Sequence, residues 1–311
     1  MKILITGGAG FIGTKICNKL KESFEIIVLD NFSKQIHGEK KPKLINGVEY
    51  VFGDVTNTDD WEKVMSKDPD YIIHLAAETG TGQSMDEITK YVNTNVVGTS
   101  IMLEFLNKNE NNVKKIILSS TRAVYGDLEN NSTTSIVDPK SVYAVTKLAQ
   151  ENLIKTSSKV PYTILRYQNV FGDGQSLNNP YTGIISIFSN QFLENKPITI
   201  FDNGIPTRDF IYVEDVVDVT IKCIDNNLTN YKTYDVGTGI ETKILDVTLK
   251  LKELSNSSSE ILITDYHRIG DVMHAKANNT NIKIDLNWEP KLTIEDGLKF
   301  FYNWFKKEKN L

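Results

Sequence analysis

The sequence reads as an α/β chain: a doubly wound parallel sheet with helices on both faces, followed by a smaller mixed α/β C-terminal substrate lobe. Three observations carry that expectation. Short apolar runs alternate with amphipathic helical stretches from Lys2 to Arg166. A glycine cluster, Gly7-Gly-Ala-Gly-Phe-Ile-Gly13, joins the first run to the first helical stretch. Beyond Asn169 the alternation gives way to a loop of glycine, asparagine and proline over 173–181 and then to shorter elements.

Lys2 to Thr6 is an apolar strand, and the helical pattern after the glycines runs from Phe11 to about Lys21. Strands are expected at Glu25–Leu29, ending at Asp30; at Val48–Phe52, ending in Gly53-Asp54-Val55; and at Tyr71–Leu75. The run Ile116–Leu118 breaks into hydroxyl residues, as a buried strand does where it delivers side chains at its C-terminal end. Pro139 closes a loop and Ser141 is placed to cap a helix reaching about Thr156. Pro161–Arg166 is a further strand. The later part predicts a helix over Ile184–Glu194, a strand Ile198–Phe201, a helix to Ile224 and a strand Thr233–Val236. A helix Leu245–Leu254, a strand Glu260–Thr264, a loop His267–Asp271 and a terminal helix complete it. The division expected is a cofactor domain over 1–168, with returns near 209–238, and a substrate lobe over 169–311.

At 311 residues the chain holds one large domain or a domain with a smaller lobe. A net charge of −5 gives no reason to expect nucleic acid. The absence of a long apolar run and of a signal-peptide pattern leads us to expect no membrane span and a cytoplasmic protein. Cys17 and Cys223 fall in apolar helical patterns, as reduced core residues, and two cysteines with no histidine spacing make no metal site.

Several residues carry chemistry. Gly8, Gly10 and Gly13 fit G-x-G-x-x-G, and Gly7, Gly10 and Gly13 fit the G-x-x-G-x-x-G variant. Such a turn brings backbone N–H groups against a pyrophosphate at a helix N-terminus, and it gains weight from the strand before it and the acid after the next strand. Asp30 would accept from ribose hydroxyls and repel a 2′-phosphate, which favours NAD over NADP; Lys34 is the nearby cation that would oppose this. Asp54 reaches an adenine amino group or simply forms a turn. Ala76 and Ala77 let a cofactor pass close to a strand end. Thr79 to Ser84 is too rich in hydroxyl and amide groups for a simple turn and suits a wall facing a sugar. Asn95 is placed to fix the strand-end backbone. Tyr143 and Lys147, four apart on a helix, share one face. A phenol of pKa about 10 is a poor base until a neighbouring ammonium and a nicotinamide cation favour its phenolate. Ser120 or Thr121 would hold the substrate oxygen. Tyr-x-x-x-Lys is a weak pattern, and Tyr302/Lys306 repeats it in an aromatic helix that reads as core. Arg208 and Arg268, in loop-like settings, suit a diphosphate.

Gly7–Gly13, Asp30, Gly53-Asp54, His74–Ala77, Ser119–Gly126, Tyr143/Lys147, Arg166–Asn169, Arg208-Asp209, Glu214-Asp215 and Arg268 with Gly270-Asp271 together resemble the extended short-chain dehydrogenase/reductase family, in its nucleotide-sugar epimerase and dehydratase branch. The resemblance covers nearly the whole chain. It implies a Rossmann-type domain holding NAD, a lobe holding a nucleoside-diphosphate sugar, and a homodimer built through a helical bundle. By position it implies Thr121, Tyr143 and Lys147 as catalytic. On the cofactor side it implies Gly7, Gly10, Phe11, Ile12, Gly13, Asp30, Asn31, Asp54, Val55, Leu75, Ala76, Ala77, Asn95, Ser119, Tyr143, Lys147 and Tyr167. On the sugar side it implies Thr79, Gln83, Ser120, Thr121, Asn169, Phe201, Arg208 and Arg268, with Phe201 packing on the nucleobase. The 4,6-dehydratases of the branch carry Asp and Glu directly after the threonine; this chain carries Arg122 and Ala123, which resembles a 4-epimerase. The segments 77–84 and 174–183 are more similar to dTDP-L-rhamnose 4-epimerase-like members than to UDP-glucose 4-epimerase-like ones. Asp235 stands where the family usually has Asn. The function implied is transient oxidation at sugar C4 and hydride return. A net C4 dehydrogenase or 4-ketoreductase on the same site, and a noncatalytic NAD-binding protein, are the alternatives.

Overall fold

Seven apolar runs form one parallel sheet: β1 (Lys2–Thr6), β2 (Glu25–Asp30), β3 (Val48–Phe52), β4 (Tyr71–His74), β5 (Lys115–Thr121), β6 (Tyr162–Tyr167) and, after four short strands, β11 (Lys232–Val236). The computed structural model describes residues 1–38, 44–108, 110–127, 133–177, 179, 181, 183–267 and 272–310. The strand order is β3-β2-β1-β4-β5-β6-β11, and every pairing is parallel. The order reverses between β1 and β4, which opens a crevice at the C-terminal strand ends. Alternation along β1 shows why both faces are covered. Ile3 and Ile5 belong to one apolar cluster and Leu4 to the other, all three fully buried.

The helices supply those clusters. In α1 (Phe11–Leu20), Ile16, Cys17 and Leu20 are buried on one side. In α3 (Thr58–Met65), capped by the Asn57 side chain, Trp61 and Val64 are buried on the opposite face of the sheet. A short α2 (Lys34–His37) precedes β3. After β4, α4 (Thr81–Asp86) and α5 (Ile88–Tyr91) lead through a π-helical turn, 92–97, into α6 (Gly98–Lys108). The Ser141 side chain caps α7 (Val142–Ser157) by accepting from the Ala144 N–H at 3.2 Å.

The remaining elements are β7 (Asn169–Phe171), α8 (Ile184–Leu193), β8 (Ile198–Ile200), β9 (Thr207–Arg208), β10 (Phe210–Tyr212) and α9 (Val213–Lys222). After β11 come β12 (Thr242–Lys243), α10 (Ile244–Ser255), β13 (Ile261–Ile263), α11 (Thr280–Leu286) and α12 (Ile294–Glu308). Three pairs, β7–β10, β8–β13 and β9–β12, form small two-stranded sheets. The C-terminal helical stretch is therefore two helices, not one: Asn287 takes a left-handed φ of 44° and Pro290 follows. Strand β5 also outruns its apolar core, continuing through Ser119, Ser120 and Thr121. No helix among the described residues is long and apolar enough to cross a membrane.

Candidate active site

The crevice is a cavity of about 540 Å³ lined by the glycine turn, the ends of β2, β4 and β5, one face of α7, and the loop 174–183. That volume suits a ligand of cofactor size. Gly7 takes a φ of +70°, and a Cβ there would stand 2.8 Å from the Ala76 backbone nitrogen. A Cβ on Gly13 would stand 2.5 Å from the Gly7 carbonyl oxygen, so α1 packs against the turn only without a side chain. Among the described residues a Cβ on Gly10 would meet only Gly7 O, at 3.2 Å, leaving a bare backbone face at the start of α1. This cradle fits a pyrophosphate. Beside it the Asp30 carboxylate accepts from Ala9 N at 2.9 Å and Phe32 N at 2.8 Å, which fixes it next to the glycine turn. Asn31 donates to Asp54 at 2.9 Å. Burial pushes the Asp54 carboxyl up, but hydrogen bonds from Thr56 and Asn31 outweigh it and hold the group below the usual carboxylate range.

The chemistry end is built by β4, β5 and α7. Along β5, alternation sends Ser119 and Thr121 to the cavity and Ser120 to the opposite face. Ser120 therefore does not face substrate, a correction to the choice left open above. It donates at 2.6 Å to Glu151, a fully buried carboxylate that also accepts from Arg166 at 2.8 and 2.6 Å. Thr121 hydrogen-bonds Tyr143 and accepts from Ala123 N at 3.2 Å. Burial pushes the Tyr143 phenol up to about 12, and its Thr121 contact pulls it back down. Burial pushes the Lys147 ammonium down to about 7, against the pull of Glu151 one turn on. Tyr91 packs edge-on to Tyr143, ring centres 6.4 Å apart.

Behind this face, polar residues hold the parts together. His74 lies between Thr6 (2.8 Å) and Thr99 (3.2 Å), and burial, with Lys147 second, pushes its imidazole down to about 3. It is thus a neutral strut and no acid or base. Asn95 is fully buried and does not line the cavity. It accepts from Glu78 N at 2.8 Å, donates to Glu78 O at 3.2 Å and donates to Thr146 at 3.0 Å. Its expected role on the strand-end backbone is what the geometry shows, and direct cofactor contact is corrected. Gln83 is likewise turned from the cavity: it exchanges hydrogen bonds with Gln35 at 2.8 and 3.0 Å and donates to Glu87 at 2.9 Å.

Phe11, Ile12, Val55, Leu75, Ala76, Ala77, Thr79, Ser119 and Tyr167 do line the cavity. Asn169, Phe201 and Arg208 do not. Asn169 pairs β7 with β10, Phe201 packs on Tyr266 (ring centres 5.8 Å apart), and the Arg208 guanidinium donates to Thr207 O at 2.7 Å. Arg268 lies outside the described residues. The second Tyr-x-x-x-Lys copy is core: Tyr302 is buried against Phe305 with Lys306 over its ring. Residues the sequence reasoning missed come from both sides. Lys15 on α1 pairs with Asp173 and, at 3.0 Å, Glu214; Glu78, Gln168, Gln175, Asn179 and Tyr181 also line the cavity. Gln168 sat inside a motif already singled out, whereas the Lys15–Asp173 pairing spans 158 positions and had no local signal.

A family model described as NAD dependent epimerase/dehydratase family matches residues 3–237. The chain belongs to that family. Its cofactor is NAD, which the Gly7–Gly13 cradle and the Asp30 carboxylate fit. This member of the epimerase/dehydratase family is 35% identical to a dTDP-L-rhamnose 4-epimerase from Burkholderia thailandensis, over 99% of this chain and 95% of that one. It superposes on a UDP-glucose 4-epimerase with UDP-glucose from Thermotoga maritima at a TM-score of 0.89 and 31% identity, covering 99% and 100% of the two chains. A UDP-glucuronic acid 4-epimerase from Bacillus cereus, in complex with UDP-glucuronic acid and NAD, gives 0.88 at 29% identity, again over 99% and 100%.

Proposed function

We propose that the protein is a nucleotide-sugar 4-epimerase that inverts C4 through a 4-keto sugar. The observation that carries the reading is the trio Thr121, Tyr143 and Lys147, gathered at one end of the dinucleotide cavity beside a turn that offers no acid at 122 or 123. That turn closes on itself: Arg122 donates to Gly126 O at 3.1 Å and Ala123 N to Thr121. Elimination chemistry thus has no acid–base pair there. Glu78, which also lines the cavity, is tied to Lys90 at 3.3 Å.

NAD, when bound, supplies the hydride acceptor and donor for sugar C4. The Tyr143 phenolate takes the proton of the 4-hydroxyl and returns it to the opposite configuration. Thr121 holds the 4-oxygen against Tyr143. Lys147 favours the phenolate and holds the nicotinamide ribose. Asp30 selects against a 2′-phosphate. We assign cofactor binding to 1–168 with the 209–238 return, and sugar-nucleotide binding to 169–311. Thr79, Asn169, Phe201, Arg208 and Arg268 are its proposed contacts. We also infer a homodimer in the cytoplasm. The dimer rests on exposed Ile88, Val92, Val97 and Val145 on the neighbouring α5–α6 and α7 helices, and the reducing compartment on two free, buried cysteines.

Incubation with dTDP-L-rhamnose, UDP-glucose and UDP-glucuronic acid, followed by NMR at C4, tests the reading. Expected is inversion without net NADH. Product that forms only with stoichiometric NADH would replace the epimerase with a C4 dehydrogenase.

A further inference from the structure

Gln168 follows directly on β6, whose last residue, Tyr167, pairs with Thr121 in the sheet register. Its backbone N–H donates to Val236 O at 2.9 Å, which fixes the main chain. The residue lines the cavity and is 5% exposed. Neither its Nε2 nor its Oε1 has a hydrogen-bond partner among the described residues. Its stem packs over Gly237, where an added Cβ would stand 2.6 Å from Gln168 Cγ. A buried donor and a buried acceptor left together without protein partners cost free energy that a bound hydroxyl recovers. Gln175, 8% exposed in the same cavity, has an unpartnered Oε1 as well.

We propose that Gln168 is a specificity-determining residue that reads a hydroxyl of a neutral sugar. This rests on the epimerase reading and deepens it. The argument is one of matching. Nε2 needs an acceptor and Oε1 needs a donor, and a sugar hydroxyl supplies both. A carboxylate or a phosphate oxygen accepts only, so a uronate carboxylate set against Gln168 would satisfy Nε2 and leave Oε1 without a donor. The substrate class is therefore a nucleotide sugar with a neutral hexose or deoxyhexose.

The test compares wild type with Gln168→Met and Gln168→Glu. It uses UDP-glucose, dTDP-L-rhamnose and UDP-glucuronic acid, and measures kcat/KM, sugar-nucleotide affinity by saturation-transfer NMR, and NAD affinity by fluorescence. Expected for Gln168→Met is an about ten- to hundred-fold loss of kcat/KM on the neutral sugars, unchanged NAD affinity, and a Tm equal to or above wild type, because two unpaired polar atoms have left the core. Wild type is expected to bind and turn over the uronate at least about ten-fold less well than a neutral sugar. Retained kcat/KM in Gln168→Met, a parallel loss of NAD affinity, or a uronate handled as well as glucose would overturn the assignment. If the protein binds neutral sugar nucleotides without inverting C4, the epimerase reading falls, while weaker binding to Gln168→Met still sustains this one.

Discussion

Tyr143 and Lys147 are pushed in opposite directions by the same burial, the phenol up to about 12 and the ammonium down to about 7. Both shifts oppose the phenolate–ammonium state that proton removal needs, so turnover depends on positive charge near the phenol. Tyr143→Phe is expected to lower kcat by about 10²–10⁴-fold while NAD binding persists. Lys147→Met should displace the rising limb of the kcat/KM–pH profile upward by about one unit or more, since the remaining phenol titrates without a cationic neighbour. A profile that does not move would remove Lys147 from the mechanism. Asp235 offers a stability test. Burial pushes its carboxyl up to about 6, although it accepts from Tyr125 at 2.7 Å and lies in the field of Arg166. A carboxyl raised on folding stabilises the protein below its ordinary value near 4, and loses that contribution as pH rises through about 6. Asp235→Asn lacks this titration. Relative to wild type it should therefore gain roughly 2–3 kcal/mol between pH 4 and 7, read as a difference in Tm.

At the scale of elements, the π-helical turn is the device that matters. By widening the helix at 92–97 it turns Asn95 inward, where one side chain joins the end of β4 to α7. Asn95→Leu would strand the Glu78 N–H and C=O. A loss of about 2–4 kcal/mol in thermal or urea unfolding is expected, together with a kcat loss from the displaced wall. The Lys15 bond to Asp173 links α1 to the loop that leads across the cavity, and Ser176 donates to Ile36 O at 3.2 Å further along. Asp173→Asn should speed NAD release in a stopped-flow chase, while Gly7–Gly13 keep the initial binding. These cross-links explain what was and was not legible. The strands and the glycine turn announce themselves through local periodicity, and Tyr143 with Lys147 through spacing four. The facing of Ser120 turned on where β5 ended, and a run cut at Leu118 gave no phase for the hydroxyls beyond it. Asn95 was legible as a strut because an amide beside a strand end has few other uses. Lys15–Asp173 and Gln35–Gln83 were invisible, because each depends on segments brought together only by the fold.

For the whole molecule, a parallel sheet covered on both faces followed from alternation of apolar runs with helices, whereas the seven-stranded order, with its switch between β1 and β4 that opens the crevice, is given by the structure. Less of the C-terminal portion was legible, because its two-stranded sheets are too short to carry a period. The apolar residues left bare on α5–α6 and α7 belong to this scale. If the proposed homodimer forms through this face, Val145→Glu halves the mass found by light scattering at micromolar concentration, with NAD binding intact; a wild type of monomer mass would remove the proposed dimer, and an unchanged mass in the variant would remove this face from it. Glu151 has a broader consequence. Clamped by Arg166 from β6 and by Ser120 from β5, it sets the angular position of α7 against the sheet, much as a key sets a shaft. Tyr143 is thus indexed to the sheet through Glu151 and to the segment after β4 through Asn95. Loops that touch neither of these ties can be redrawn for new sugars without retiming the step at C4.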